Sequence, residues 1–268
     1  MHNICLVCNN KKYPICGKCS GNPFSVEKCR QKLAALNDLE TLRTTYNHEY
    51  AQIKNLNSSS FWDKKLQQRE SFKEQDEMTK DRVKTAFKFF PKSSRKVLDI
   101  GAGNGFIEEL LNKNKDLQIF GNDISYNAVQ NLKREFRGKF RRESIFRMKY
   151  LKRYFDAIFV LEVLEHISPS KIFSVLSKIK NFLKDGGSLV VSIPTNEGLE
   201  KMKTNPSGHV RTYTENLIRA ELKIAGFKVL KVKTLFAFKD WYAVKKITSN
   251  LLKNKWKSNN IVILAKPI

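Results

Sequence analysis

Apolar positions along the chain follow two regimes that change at Lys96. Ahead of it they recur at helical spacing. Val26, Cys29, Leu33, Leu36, Leu39 and Leu42 predict an amphipathic helix reaching about Tyr50. Asn22-Pro23 marks its start, with Asn as the cap and Pro in the first turn. Asn55–Ser60 is a polar break, and Phe61-Trp62 opens another segment. A further helix is expected from about Thr79 to Phe89, stopping before Pro91.

Beyond Lys96, short β-rich runs alternate with helical ones. The runs are Val97–Ile100, Leu117–Gly121, Phe140–Ile145, Ala157–Leu161 and Ser188–Ile193. Helices are expected near Phe106–Asn112, Tyr126–Phe136 and Pro169–Leu183. Such alternation predicts right-handed β-α-β units and a parallel sheet, an α/β domain. After Pro194 come a polar loop, a helix over Thr214–Ala225 ended by Gly226, and strands at Phe227–Val232 and Ile261–Ala265. A helical insert is expected at about 238–256, between those last two strands.

The junction Val97–Gly105, reading VLDIGAGNG, carries the clearest chemistry. An apolar strand runs into a turn holding Gly101, Gly103 and Gly105, and a helix follows. Glycines at that spacing leave bare backbone on which a ligand can lie, near the amide N–H groups of the helix start. The next strand ends in Asp123, placed where a carboxylate accepts hydrogen bonds from ribose hydroxyls. A dinucleotide fingerprint would need its third glycine at Phe106, whereas this chain has it at Gly105.

Charge widens the choice of partner. The chain has 50 Lys and Arg against 26 Asp and Glu, a net of +24, and such a field favours polyanions such as RNA. A Lys-rich but merely solvated surface has the same balance. The basic residues concentrate between Lys133 and Arg153, and again at Lys245–Lys257 around Trp256. No apolar run approaches the roughly 20 residues of a membrane span, and no signal sequence opens the chain, so a cytoplasmic protein is expected. Its length allows one large domain and an appendage. The appendage carries Cys5-x2-Cys8-x7-Cys16-x2-Cys19, paired knuckles suited to a tetrahedral, structural zinc ion. Cys29 falls in the helical pattern and is expected to be a buried thiol.

Asp99 with Gly101, Gly103 and Gly105 resembles motif I of the class I S-adenosylmethionine (SAM) methyltransferases, and the resemblance extends from about Lys96 to Pro267. It implies a Rossmann-like seven-stranded sheet with helices on both faces, the seventh strand running antiparallel between the fifth and sixth. The implied organisation is a zinc-binding head at 1–22, a helical arm or cap at 23–92, and the methyltransferase domain at 93–268. Asp99 and the glycines would face the amino-acid part of SAM, Asp123 its ribose and Ile124 its adenine. Where the family often places an Asp for the adenine amino group, this chain has Glu143-Ser144, leaving that contact to Glu143, or to Ser144 and backbone.

Phe155–Ile167, reading FDAIFVLEVLEHI, resembles the ubiquinone/menaquinone-type methyltransferases. The match sets Leu161 and Glu162 beside the cofactor and Glu165-His166 toward the acceptor. His166 is then a candidate proton acceptor, or else a locally packed side chain. The loop Gly208–Thr214 resembles the acceptor-side loop of the same relatives, which makes His209 a second candidate base and puts Arg211 and Tyr213 at the substrate. Arg211 has a structural alternative, anchoring the loop to a Glu or to backbone. Three functions remain open. The first is methyl transfer to an oxygen, ahead of nitrogen or carbon, of a polar small molecule, lipid or sugar. The second is methylation of ribosomal or transfer RNA. The third is a non-catalytic SAM-fold module.

Overall fold

The computed structural model describes residues 17–21, 23, 25, 26, 29, 55–197, 206–237, 241–251 and 258–268. Helices α1 (Gly17–Ser20), α2 (Ser59–Lys65) and α3 (Glu77–Phe89) precede the sheet. Then come β1 (Lys96–Ile100), α4 (Phe106–Leu111), β2 (Gln118–Asp123), α5 (Tyr126–Glu135), β3 (Lys139–Arg142), β4 (Phe155–Leu161), α6 (Ile172–Phe182) and β5 (Leu183–Pro194). The chain closes with α7 (Glu215–Ile224), β6 (Phe227–Leu235), α8 (Tyr242–Leu251) and β7 (Asn260–Pro267).

The strands form one seven-stranded sheet in the order β3-β2-β1-β4-β5-β7-β6. Pairs from β3 across to β5 are parallel, while β7 runs antiparallel to both β5 and β6, as the family resemblance implied. The central strands are apolar at nearly every position because both faces are covered. Along β4, Ile158 and Val160 enter one core while Ala157 and Phe159 enter the other. In β7 the same alternation separates Ile261, Ile263 and Ala265 from Val262 and Leu264. Helices α6 and α7 cover the first face; α3, α4 and α5 cover the second.

Two boundaries differ from expectation. Strand β3 stops at Arg142 rather than Ile145, because the carbonyl of Ser144 accepts from both Arg147 and Met148 N–H and the chain turns. Strand β5 starts at Leu183, its pairing with β4 skipping across the Asp185-Gly186-Gly187 stretch as a bulge. Helix α3 is built into the domain: Val83 and Ala86 pack in the same core as Val97, Phe159 and Val262. The expected insert contains α8, tied to α3 where Asp81 meets the Tyr242 hydroxyl and the Lys246 ammonium. Cys5, Cys8, Cys16 and most of the helix expected up to Tyr50 lie outside the described residues; Cys19, in α1, and Cys29 are buried. Among the described residues no helix is long and apolar enough to cross a membrane.

Candidate active site

The motif glycines serve different ends. All three adopt left-handed backbone angles, with φ of +73° at Gly101, +53° at Gly103 and +74° at Gly105. A methyl group on Gly101 would meet Val163 Cγ2 at 2.6 Å. On Gly105 it would meet Phe136 and Leu132, at 2.5 and 2.7 Å, so this glycine seats α4 against α5 and does not line the cavity. Gly103 has nothing nearer than a backbone oxygen at 3.9 Å, and it borders open space. The loop is pinned from below, since Gly101 and Ala102 N–H both donate to the Asn122 carbonyl, at 2.8 and 3.1 Å.

Acidic groups ring that space. Asp123, at the tip of β2, accepts from Gly103 N–H at 3.0 Å and from Ser125 N–H at 2.8 Å. Its position holds the glycine loop and the start of α5 in one geometry. Asp99 is buried at the end of β1, and its Oδ1 has no hydrogen-bond partner. Burial, with the Asp123 charge adding to it, pushes the Asp99 carboxyl up to about 7. Glu108, fully buried on α4, is pushed higher still by burial and by Asp99. Neither Glu108 carboxylate oxygen has a hydrogen-bond partner, so burial and the neighbouring Asp99 both disfavour its charged form.

Helix α2 lines the same space through Trp62 and Lys65. Its Asp63 accepts from Ser125 Oγ at 2.7 Å and from Tyr126 N–H at 2.6 Å, which caps α5 from outside. Ser59 Oγ donates to the Ile124 carbonyl at 2.8 Å. The result is a cavity of about 520 Å³ bounded by the glycine loop, the ends of β2 and β4, and α2. Asp99, Gly101, Gly103, Asp123, Ile124, Ser144, Leu161, Glu162, His166 and His209 all border it.

At the far side the walls become polar. Glu162 directly follows β4 at a left-handed φ of +57°, a strain of about 1–3 kcal/mol. Its carboxylate is fixed by Arg82 at 2.9 Å, Ser192 at 2.7 Å and Asn260 at 3.0 Å. His166 stacks edge-on against Trp62 and His209, each at 4.9 Å between ring centres. Its Nδ1 lies 3.2 Å from the Gly208 carbonyl, an acceptor only, so Nδ1 carries the hydrogen and Nε2 the lone pair. Burial, followed by the nearby His209, holds His166 down to about 3, a neutral ring. His209 Nδ1 lies 2.8 Å from Glu197 Oε2.

Two expected substrate residues are elsewhere. Arg211 and Tyr213 are fully buried and do not border the cavity. Arg211 pairs with Glu221 of α7 at 2.5 Å and the Tyr213 hydroxyl donates to the same carboxylate at 2.9 Å. The loop follows the family pattern, but these side chains turn inward because α7 supplies their partner. The anchoring alternative for Arg211 is the one realised. Glu143 also leaves the cavity wall; its backbone instead joins β2, donating to the Asp123 carbonyl and accepting from Asn122 Nδ2. Trp62, Lys65 and Arg82 border the cavity and were not singled out from sequence. Phe61-Trp62 opens a segment after the polar break, but nothing local ties that segment to the loop after β2.

Residues 69–232, more than half of the chain, match the methyltransferase domain family. No curated protein matches the chain. Among solved structures, the chain is similar to a SAM-dependent methyltransferase from Archaeoglobus fulgidus, at 21% identity and a TM-score of 0.57, covering 73% of this chain and 96% of that one. It is also similar to the N-methyltransferase NodS of Bradyrhizobium japonicum in complex with S-adenosyl-L-homocysteine, at 16% identity and a TM-score of 0.58, covering 79% and 98%. A third is the 1,6-didemethyltoxoflavin-N1-methyltransferase of Burkholderia thailandensis, at 15% identity and a TM-score of 0.52, covering 71% and 78%. The glycine loop, the acid at the tip of β2 and the family match over residues 69–232 lead to one conclusion: the chain belongs to the class I SAM-dependent methyltransferases.

Proposed function

We propose that this enzyme methylates an oxygen of a small polar acceptor held in the cavity between the glycine loop and His166. The observation that carries this reading is the cavity's polarity. Its donor end is bare backbone with two buried acids; its acceptor end is a neutral, oriented imidazole beside Trp62. SAM supplies an electrophilic methyl group on a sulfonium. Asp99, with one unpartnered oxygen, suits the amino-acid end of SAM, and Asp123 suits its ribose diol. Ile124 offers an apolar face for adenine, with Ser144 and Leu161 beside it.

Methyl transfer is chiefly a matter of orientation. Glu162, locked by three donors in a strained turn, gives the end of β4 a fixed shape against which an acceptor can be aligned. The lone pair on His166 Nε2 can accept a hydrogen bond from an acceptor hydroxyl, and His209 extends the same polar wall. Incubation with methyl-labelled SAM and fractionated cell extract tests the reading. Label in polar metabolites, lipids or sugars is the expected result; label confined to RNA or protein overturns it.

RNA is favoured by one observation. The edge strand β3 exposes Lys139, Arg141 and Arg142, and Arg141 and Arg142 lie over Tyr150 and Tyr126 at 5.5 and 5.8 Å. Labelled RNA, together with salt-sensitive RNA binding, would move the assignment there. The cysteine head belongs to the same proposal: Cys5, Cys8, Cys16 and Cys19 would hold structural zinc, supported by their spacing and by the burial of Cys19. Metal analysis of a Cys8→Ser variant checks it, with loss of one zinc expected.

A further inference from the structure

Glu165, His166 and His209 each offer a ligand-type atom at the acceptor end of the cavity, and these atoms all lie within 4.8 Å of one another. Glu165 is fully buried, yet neither oxygen of its carboxylate has a hydrogen-bond partner. A buried carboxylate in that condition is costly unless something positive meets it. The arginines whose charge reaches it are engaged elsewhere: Arg82 bonds Glu162 at 2.9 Å and Arg211 bonds Glu221 at 2.5 Å. Glu162 and Glu197 add negative charge around it.

Both imidazoles are oriented in the manner of metal ligands. Histidines that bind metal donate one ring N–H to a carboxylate or backbone carbonyl, which turns the other nitrogen toward the ion. His166 Nδ1 donates to the Gly208 carbonyl, whose oxygen also accepts from Asn57 at 2.7 Å. His209 Nδ1 donates to Glu197, while its Nε2 stands 4.0 Å from Glu165 Oε1. We propose that Glu165, His166 and His209 form a binding site for a divalent first-row transition-metal ion, with its open positions facing the acceptor. Two imidazoles and one carboxylate suit zinc, manganese, cobalt or iron(II) better than calcium. The proposal deepens the reading above: with the ion bound, the His166 Nε2 lone pair goes to the metal, and the acceptor oxygen takes an open position on the ion in place of a hydrogen bond to that nitrogen. Ion binding itself does not depend on methyl transfer.

The test is a titration of the full-length chain with Mn2+, followed by the loss of its free-ion electron paramagnetic resonance signal. Manganese suits the nitrogen and oxygen set and is poorly held by thiolates, so the cysteine head does not compete. One Mn2+ per chain is expected, with affinity at least tenfold weaker in His209→Ala and in Glu165→Gln. SAM affinity, measured on the same samples, reports whether each variant is folded. Wild-type protein that takes up no Mn2+ overturns the proposal, as does a folded Glu165→Gln variant that binds it as wild type does. Residue-dependent Mn2+ binding without methylation of any small acceptor keeps the ion site and removes the reading of the acceptor. Methylation with no ion bound does the reverse.

Discussion

Placing one methyl group at each motif glycine separates packing from ligand contact. Gly103→Ala puts an L-residue at φ +53° with nothing nearer than 3.9 Å, so its cost is the left-handed backbone alone, about 1–2 kcal/mol. Gly101→Ala carries the same backbone cost plus a 2.6 Å approach to Val163 Cγ2, on a β-branched side chain that moves little. Overpacking of that kind adds about 1–3 kcal/mol. Gly105→Ala meets a phenyl ring and a leucine together, at 2.5 and 2.7 Å, and belongs with Gly101→Ala. Urea unfolding should therefore rank Gly103→Ala as the mildest of the three. SAM calorimetry should show the largest affinity loss per unit of lost stability in the same variant, tenfold or more. Adding Val163→Ala should recover about 1 kcal/mol or more in the Gly101→Ala background and nothing in the Gly103→Ala background. A Gly103→Ala protein that loses as much stability as Gly105→Ala, or binds SAM as wild type does, would refute the assignment of Gly103 to the ligand.

Three other outcomes follow from buried charge. Arg211→Ala leaves the buried Glu221 carboxylate without its cation, with the Tyr213 hydroxyl still donating to it, so stability should fall by about 3–5 kcal/mol, while KM for the acceptor in the surviving folded protein stays near wild type; a KM effect without a stability loss would restore Arg211 to the substrate. Asp99 is an acid raised to about 7 in the fold, against about 3.9 unfolded. Between those values the native state holds a proton that the unfolded chain has released, so this carboxyl's contribution lowers stability as pH rises through that window. Thermal melts should show that slope flatten in Asp99→Asn. The cationic amino group of SAM favours ionised Asp99, so SAM affinity should weaken as pH drops below about 7 and the dependence should vanish in Asp99→Asn.

Sheet and glycine loop were legible because each strand carries its own apolar run between breakers, and because β7 follows the insert in the order the family resemblance implied. Asp123 was legible for the same reason: the end of an apolar run at a parallel strand's tip is a position, not a packing detail. Less could be read where long-range partners decide. Trp62 reaches the cavity only because Asp63 finds the start of α5, more than sixty residues away. Arg211 and Tyr213 have the right loop sequence, yet Glu221 draws them inward from the next helix. Glu165 stands beside His166 in the sequence, but bringing it near His209 needs the fold to set the Gly208 loop against the end of β4.

The most direct test is a crystal structure of the chain with S-adenosyl-L-homocysteine. The ribose hydroxyls should lie on Asp123, the amino-acid end against Gly103 and Asp99, and the sulfur should point along the cavity toward His166. Density for the compound elsewhere, or a cavity that stays closed to it at saturating concentration, would contradict the account.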